Sequence, residues 1–231
     1  MATSEQLEQK LHQWVAASVI DSPAADRIRN FESTHDSRGM RWPGVLAIAF
    51  GAIMVGDGVL LFVGDLSWAP NAEGLRWFAD SVWPLVRSRL PRARVEVLGR
   101  AVPPDLRRRA PDWIFLGEGG DTRPLWARAD VAIVPLRAGG GTRLKILEAA
   151  ACGVPVVSTT VGAEGLELAS EAEILLRDDP PAFADALVRL LGDTALRRGI
   201  AASARLRVEK RYDWRRVGAE LAAALLSRAK P

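Results

Sequence analysis

From Val59 onward the chain alternates short apolar runs with helix-patterned stretches, and this alternation restricts its fold more than any other feature. Strand-like runs fall at Val59–Val63, Arg94–Leu98, Trp113–Leu116, Val131–Pro135, Val154–Ser158 and Ile174–Leu176. Helix-patterned stretches separate them: Ala72–Arg89, Pro104–Arg109, Thr122–Arg128, Thr142–Ala151 and Pro180–Leu191, followed by a long helical tail. Runs as continuously apolar as Val59–Val63 belong in a sheet covered on both faces. The alternation predicts an α/β fold with a doubly wound, parallel, Rossmann-like sheet and right-handed crossovers. Its ligands are expected outside the carboxyl ends of the strands.

The stretch before Val59 reads differently. Leu7, Leu11, Trp14 and Val15 recur at helical spacing, and Ser22 before Pro23 forms an N-cap and first-turn pair. This predicts a helical hairpin within 1–36. Trp42 to Val63 is then apolar except for Asp57. A bilayer span needs about 20 such residues, so the stretch qualifies by length as a membrane helix. Arg38 and Arg41 just before it would hold the N-terminus in the cytoplasm. Val59–Val63 carries a competing claim, because a compact apolar run ending at Gly64 is also what a buried parallel strand looks like. The two readings of 59–63 exclude one another.

The chemistry concentrates between Val131 and Gly165. After the Val131–Pro135 run come Arg137, Ala138 and three glycines, Gly139, Gly140 and Gly141. Thr142 is the expected N-cap of the next helix. Glycines let backbone amides approach a ligand closely, and a helix N-terminus favours negative charge. Arg143 and Lys145 can meet phosphates. Glu148 lies three residues beyond Lys145, on the same helix face, and can accept hydrogen bonds from sugar hydroxyls. The pattern is neither GxxxxGK[ST] nor a GxGxxG after the first strand. Read physically, it points to a phosphate-bearing ligand. Glu164 in Gly-Ala-Glu-Gly either contacts that ligand or opens a helical turn.

Composition removes several alternatives. The two histidines, His12 and His35, precede this region, so no imidazole chemistry is available to it. Cys152 is the single cysteine, which excludes an intrachain disulfide and a multi-thiolate zinc site; it reads as a small buried residue. A net charge of +3 is too small to indicate nucleic-acid binding. The tryptophans read as core or cleft packing, and Arg107–Arg109 as a solvated helix face.

Three segments carry a resemblance. LLFVGDLSWAPNAEGLRWF (60–78), PLRAGGGTRLKILEAAACGVPVVSTTVGAEGL (135–166) and EKRYDWRRV (209–217) resemble the C-terminal, donor-binding domain of GT-B glycosyltransferases, in the large retaining family of group 1 transferases. The resemblance covers residues 59–228. It implies a domain that binds a nucleotide-diphosphate sugar, UDP- or GDP-linked, and transfers its hexose to a saccharide or lipid acceptor without a metal or a further cofactor. The implied donor site is Gly139, Gly140, Gly141, Thr142, Arg143, Lys145, Glu148 and Glu164; no catalytic residue is assigned. Members often carry two glutamates with seven residues between them. Glu148 matches the second, expected on the ribose, whereas Gly140 stands at the first. Many also carry an Arg and a Lys after the first strand, where this chain has Asp65. Neutralising the diphosphate then falls to Arg143, Lys145 and the loop amides.

Complete GT-B enzymes hold the acceptor in an N-terminal domain. Residues 1–63 instead resemble the start of an uncharacterised bacterial membrane-protein family, with LEQKLHQWVAASVIDSPAADRIRNFE (7–32) as hairpin and RWPGVLAIAFGAIMVGDGVLLFV (41–63) as first membrane helix. The expected organisation is a hairpin over 1–36, an apolar connector or membrane helix over 37–58, and a nucleotide-sugar-binding domain over 59–231. An acceptor domain from a second chain would complete the enzyme, located in the cytoplasm or at the inner face of the membrane through Trp42–Val63. The alternative is a non-catalytic, membrane-associated module with a degenerate transferase fold.

Overall fold

The computed structural model describes residues 58–228, together with Glu8 and His12. The expected hairpin over 1–36 and the apolar segment over 37–57 lie outside the described residues, apart from those two positions. The chain divides into two units between Gly56 and Asp57, and the sheet and its helices belong to the second.

Six strands form one all-parallel sheet: β1 (Val59–Val63), β2 (Arg94–Leu98), β3 (Ile114–Gly117), β4 (Val131–Val134), β5 (Val156–Ser158) and β6 (Leu175–Leu176). Their order is β3-β2-β1-β4-β5-β6, the doubly wound arrangement expected from the alternation. β1 is a central strand. It pairs with β2 from Val59↔Arg94 to Val63↔Leu98 on one side, and with β4 through Leu60↔Val131 on the other. Val59–Val63 is therefore a sheet strand and not the end of a helix running from Trp42. Its residues Leu60, Leu61 and Phe62 are fully buried, and both its edges are hydrogen-bonded, which a membrane helix would not allow. Among the described residues no helix is long and apolar enough to cross a membrane.

Prolines trim two strands relative to the apolar runs. Pro135 has no N–H to extend the ladder, and β4 ends at Val134. Pro155 offers only its carbonyl, which accepts from Ala132 N at 2.9 Å, and β5 begins at Val156. The sheet centre is pinned at its opposite pole by Asp130. Its Oδ2 accepts from Val59 N at 3.0 Å while its own N–H donates to Val59 O at 2.9 Å.

The helices are α1 (Ala69–Trp77), α2 (Trp83–Arg89), α3 (Pro104–Arg109), α4 (Arg123–Trp126), α5 (Leu144–Ala151), α6 (Pro180–Gly192), α7 (Thr194–Arg211) and α8 (Trp214–Arg228). The stretch read as one helix over Ala72–Arg89 is broken by a π-helical segment, Phe78–Val82. Pro84 explains the break, since it cannot donate to the preceding turn. α5 packs on β4 and β5. Its Ile146 and Ala149 meet Leu61, Ala132, Val134 and Val156 in one buried cluster. Burying each of the larger aliphatic side chains there contributes roughly 1.5–3 kcal/mol. α6 also packs on β4 and β5, and it meets α2 and the π-helical segment. There Phe183 takes Trp77 and Phe78 edge-on, with centroids 5.6 and 5.9 Å away.

Among the described tryptophans, Trp83, Trp113 and Trp126 are buried and Trp77 packs on Phe183 as expected, whereas Trp68 and Trp214 are exposed. Arg107, Arg108 and Arg109 are exposed. Cys152 departs from expectation. It is exposed, because it occupies the C-cap of α5, just beyond the face that packs on the sheet. Trp214, the first residue of α8, is 83% exposed.

Candidate functional site

The strand order places the site. The chain runs outward from β1 to β3, returns to β4 on the other side of β1, and then runs outward again. The loops leaving β1 and β4 therefore diverge, and a crevice opens between them at the carboxyl ends. A cavity of about 250 Å³ lies there, lined by Gly64 and Trp68 after β1, Gly140 to Lys145 and Glu148 after β4, and Gly162.

The glycine loop has the backbone that its sequence demands. Gly139 and Gly141 sit at φ 109° and 107°, where side chains are disfavoured. The helix starts later than expected. Arg143, not Thr142, is the N-cap of α5. It has a left-handed φ of 53°, and no side chain caps the helix. The Arg143 guanidinium turns back instead, donating to Gly140 O at 2.9 Å, Gly139 O at 2.9 Å and Val161 O at 2.8 Å. Its side chain is 4% exposed, and its Nε is buried with no partner among the described residues. Arg143 thus occupies the loop carbonyls and ties the loop to the turn after β5. The first amides of α5 have no acceptor within the helix, so donors and the positive end of the dipole remain for an anion.

The turn after β5 is fixed from beneath. Thr159 Oγ1 donates to Leu136 O and accepts from Gly162 N at 2.9 Å. A Cβ at Gly162 would stand 2.7 Å from Val134 O, so only glycine lets this turn close on the end of β4.

Lys145 is held at the floor of the crevice. Its Nζ donates to Asn71 Oδ1 at 2.7 Å and lies 4.3 Å from the centroid of Phe62. Asn71 is buried in the first turn of α1, and its Nδ2 donates to Asp65 O at 2.7 Å. A Cβ at Gly64 would stand 2.8 Å from the Lys145 Nζ, so a side chain there would displace the ammonium. Burial pulls the Lys145 pKa down to about 7, with the neighbouring Arg143 charge acting in the same direction and Glu148 opposing both. A cation that is costly to keep charged is one that an anion can stabilise.

Glu148 lies one turn along α5, exposed and on the wall of the same cavity, as is Thr142. The structure thus brings Gly140, Gly141, Thr142, Arg143, Lys145 and Glu148 around one space. Gly139 stands just behind it, beneath Trp68. Glu164 is not on the cavity wall; its carboxylate is 73% exposed and reaches Arg143 at 3.5 Å. Sequence reasoning missed Asn71 and read Trp68 as core or cleft packing. A polar residue on the sheet-facing side of α1, beside Ala72 and Leu75, was the available signal for Asn71.

Comparison with known proteins gives the family and the fold. The family model described as glycosyl transferases group 1 matches residues 57–193. An uncharacterized 44.6 kDa protein of the cps region of Klebsiella pneumoniae is 25% identical over 168 residues, covering 68% of this chain and 43% of that protein. A D-inositol 3-phosphate glycosyltransferase from Xylanimonas cellulosilytica is 36% identical over 126 residues, covering 54% of this chain and 26% of that protein. The chain thus spans less than half the length of these curated relatives. Among solved structures, Anabaena HepE in complex with UDP and glucose superposes with TM-score 0.63 at 19% identity, covering 81% of this chain and 53% of that one. The C-terminal domain of the group 1 transferase LpcC from Francisella tularensis superposes with TM-score 0.54 at 22% identity, covering 68% and 86%. At these identities the superpositions establish the fold, which is the Rossmann-like half of a GT-B architecture. The matched segment takes in the crevice and both of its loops, and on it the chain belongs to the glycosyl transferases of group 1.

Proposed function

We propose that residues 58–228 form the donor-binding domain of a hexosyltransferase, which holds a UDP- or GDP-linked sugar in the crevice between β1 and β4. The diphosphate lies at the N-terminus of α5, against the amides of Gly140 to Lys145 and the Lys145 ammonium. Glu148 accepts hydrogen bonds from the ribose hydroxyls. Arg143 acts as a positioning residue, holding the loop through its carbonyls, and Glu164 supports Arg143 from the rim. In the transfer step an acceptor hydroxyl oxygen bonds to the sugar's anomeric carbon as the bond from that carbon to the diphosphate oxygen breaks, and the hydroxyl proton passes to the departing diphosphate or to solvent. The electron pair stays with the leaving nucleoside diphosphate, whose growing charge Lys145 and the amides stabilise. The acceptor, a saccharide or lipid, is held by a domain outside residues 58–228, from the same polypeptide or a second chain. The reaction site faces the cytoplasm, where such donors are made.

The observation that carries this reading is Lys145: a half-buried lysine with a pKa near 7, beside free helix amides and one turn from an exposed carboxylate in the same cavity. The test is calorimetric titration of the whole chain with UDP, GDP and their sugars, beside Glu148→Ala. Saturable binding that weakens about tenfold in the variant is expected, the size of one or two lost hydrogen bonds. A folded chain that binds none of these nucleotides would overturn the reading.

A further inference from the structure

Trp68 is 40% exposed and stands on the wall of the cavity, which glycines, the polar groups of Thr142 to Lys145 and Glu148, and the apolar Val63, Val134, Leu136 and Leu144 also line. Two features make its position a built one. Its ring edge is pressed onto the glycine loop: a Cβ at Gly139 would lie 2.7 Å from Trp68 Cη2, 2.9 Å from Cζ2 and 3.1 Å from Pro70 Cβ. The turn that presents it is tethered, since Asp65 Oδ1 accepts from Ser67 N at 2.9 Å and from Ser67 Oγ at 2.7 Å. Asp65 Oδ2 in turn accepts from Arg100 Nε and Nη2 at 2.8 and 2.7 Å. An exposed aromatic ring that is fixed at both its edge and its backbone is prepared for a flat, partly apolar ligand surface.

The order of groups along the crevice says which part of the ligand this is. Glu148 is one turn inside α5, Lys145 and the free amides are at the helix start, and Gly139 with Trp68 over it lies at the far end of the loop. A nucleotide sugar is also a linear array of ribose, diphosphate and sugar. If the ribose meets Glu148 and the diphosphate meets Lys145, the sugar falls at Gly139–Gly141, beside Trp68. Among the described residues no carboxylate lines the cavity there, and a Cβ at Gly140 would meet none of them within 4 Å, which leaves room for a pyranose.

We propose that Trp68 is the platform for the donor's sugar ring, so that this chain holds the sugar by stacking on its C–H face rather than through a carboxylate bound to its hydroxyls. The inference rests on the donor-site reading and adds to it the group that recognises the sugar.

The test compares UDP with UDP-glucose, and GDP with GDP-mannose, by calorimetry on the whole chain, its Trp68→Ala and its Trp68→Phe. Trp68→Ala should weaken the sugar nucleotide by about fivefold or more, as expected for one lost aromatic stacking contact, while the sugar-free nucleotide changes less than about twofold. Trp68→Phe should recover most of the loss, and a melting curve checks that each variant folds. Equal weakening of nucleotide and sugar nucleotide would put Trp68 under another part of the ligand and overturn the proposal, as would unchanged binding of both. A wild-type chain that binds no nucleotide overturns the donor site itself, and this proposal with it. Binding of nucleotides with no effect at Trp68 overturns only the platform.

Discussion

If Lys145 carries the diphosphate, affinity for the donor must follow the lysine's protonation. Its pKa is about 7 in the free protein, so it is about nine-tenths charged at pH 6 and about one-tenth charged at pH 8. A bound diphosphate holds it protonated, because the charge it offsets is then within reach. Affinity therefore declines as pH rises through 7, by about tenfold between pH 6 and pH 8, or about 1.4 kcal/mol. UDP-glucose is the right ligand for this test, since its diphosphate is esterified at both ends and lacks the ionisation near pH 6 of a terminal phosphate. Titrations in two buffers of different ionisation heat should also show uptake of about 0.9 proton per ligand at pH 8. Lys145→Met should bind at least about tenfold more weakly at pH 6, with no slope. A wild-type affinity independent of pH, with no proton uptake, would mean that Lys145 is fully charged and that burial does not govern it.

Other outcomes rest on the same geometry. Because the folded pKa of Lys145 lies below its unfolded value of 10.5, the unfolded chain binds more protons between about pH 7 and 10. Wild-type stability should gain on that of Lys145→Met across this window, by up to about 1.4 kcal/mol per pH unit in denaturant titrations. Gly139→Ala meets both a φ of 109° and the Trp68 ring, and should lower the melting temperature and the donor affinity. Gly140→Ala, with open space around it, should leave the melting temperature within about 2 °C of wild type. Arg143→Ala removes three bonds from a buried guanidinium to backbone carbonyls and should cost about 3 kcal/mol in denaturant unfolding.

The fold was legible because its signals are local. Val59–Val63 is apolar throughout and Arg94–Leu98 alternates charged with apolar residues, both strand patterns, and both stand in the structure with those bounds. Their neighbours were misjudged where a single proline intervened: Pro135 and Pro155 trimmed strands, and Pro84 broke a helix into α and π segments. The competing membrane reading of Trp42–Val63 rested on hydropathy, which cannot separate a buried central strand from the end of a bilayer helix. Pairing on both edges of β1 decides it for Val59–Val63. In the site, the glycine loop and the helix carrying Lys145 and Glu148 were visible because they are contiguous in sequence. Asn71 was not: its sheet-facing place on α1 marks it as a buried polar residue, but its partner Lys145 lies 74 positions further along the chain. Arg143 was visible as a cation but not as a clamp; its role depends on a left-handed backbone that the sequence gives no reason to expect at an arginine.

The central claim is that a nucleotide diphosphate occupies the crevice between β1 and β4, and amide resonance mapping tests it most directly. Titrating the isotopically labelled chain with UDP or GDP should shift the amides of Gly64, Gly139 to Glu148 and Gly162, while those at the opposite pole, around Asp130 and Gly153, stay in place. Shifts centred away from the glycine loop and the start of α5, or none at saturating nucleotide, would contradict the account.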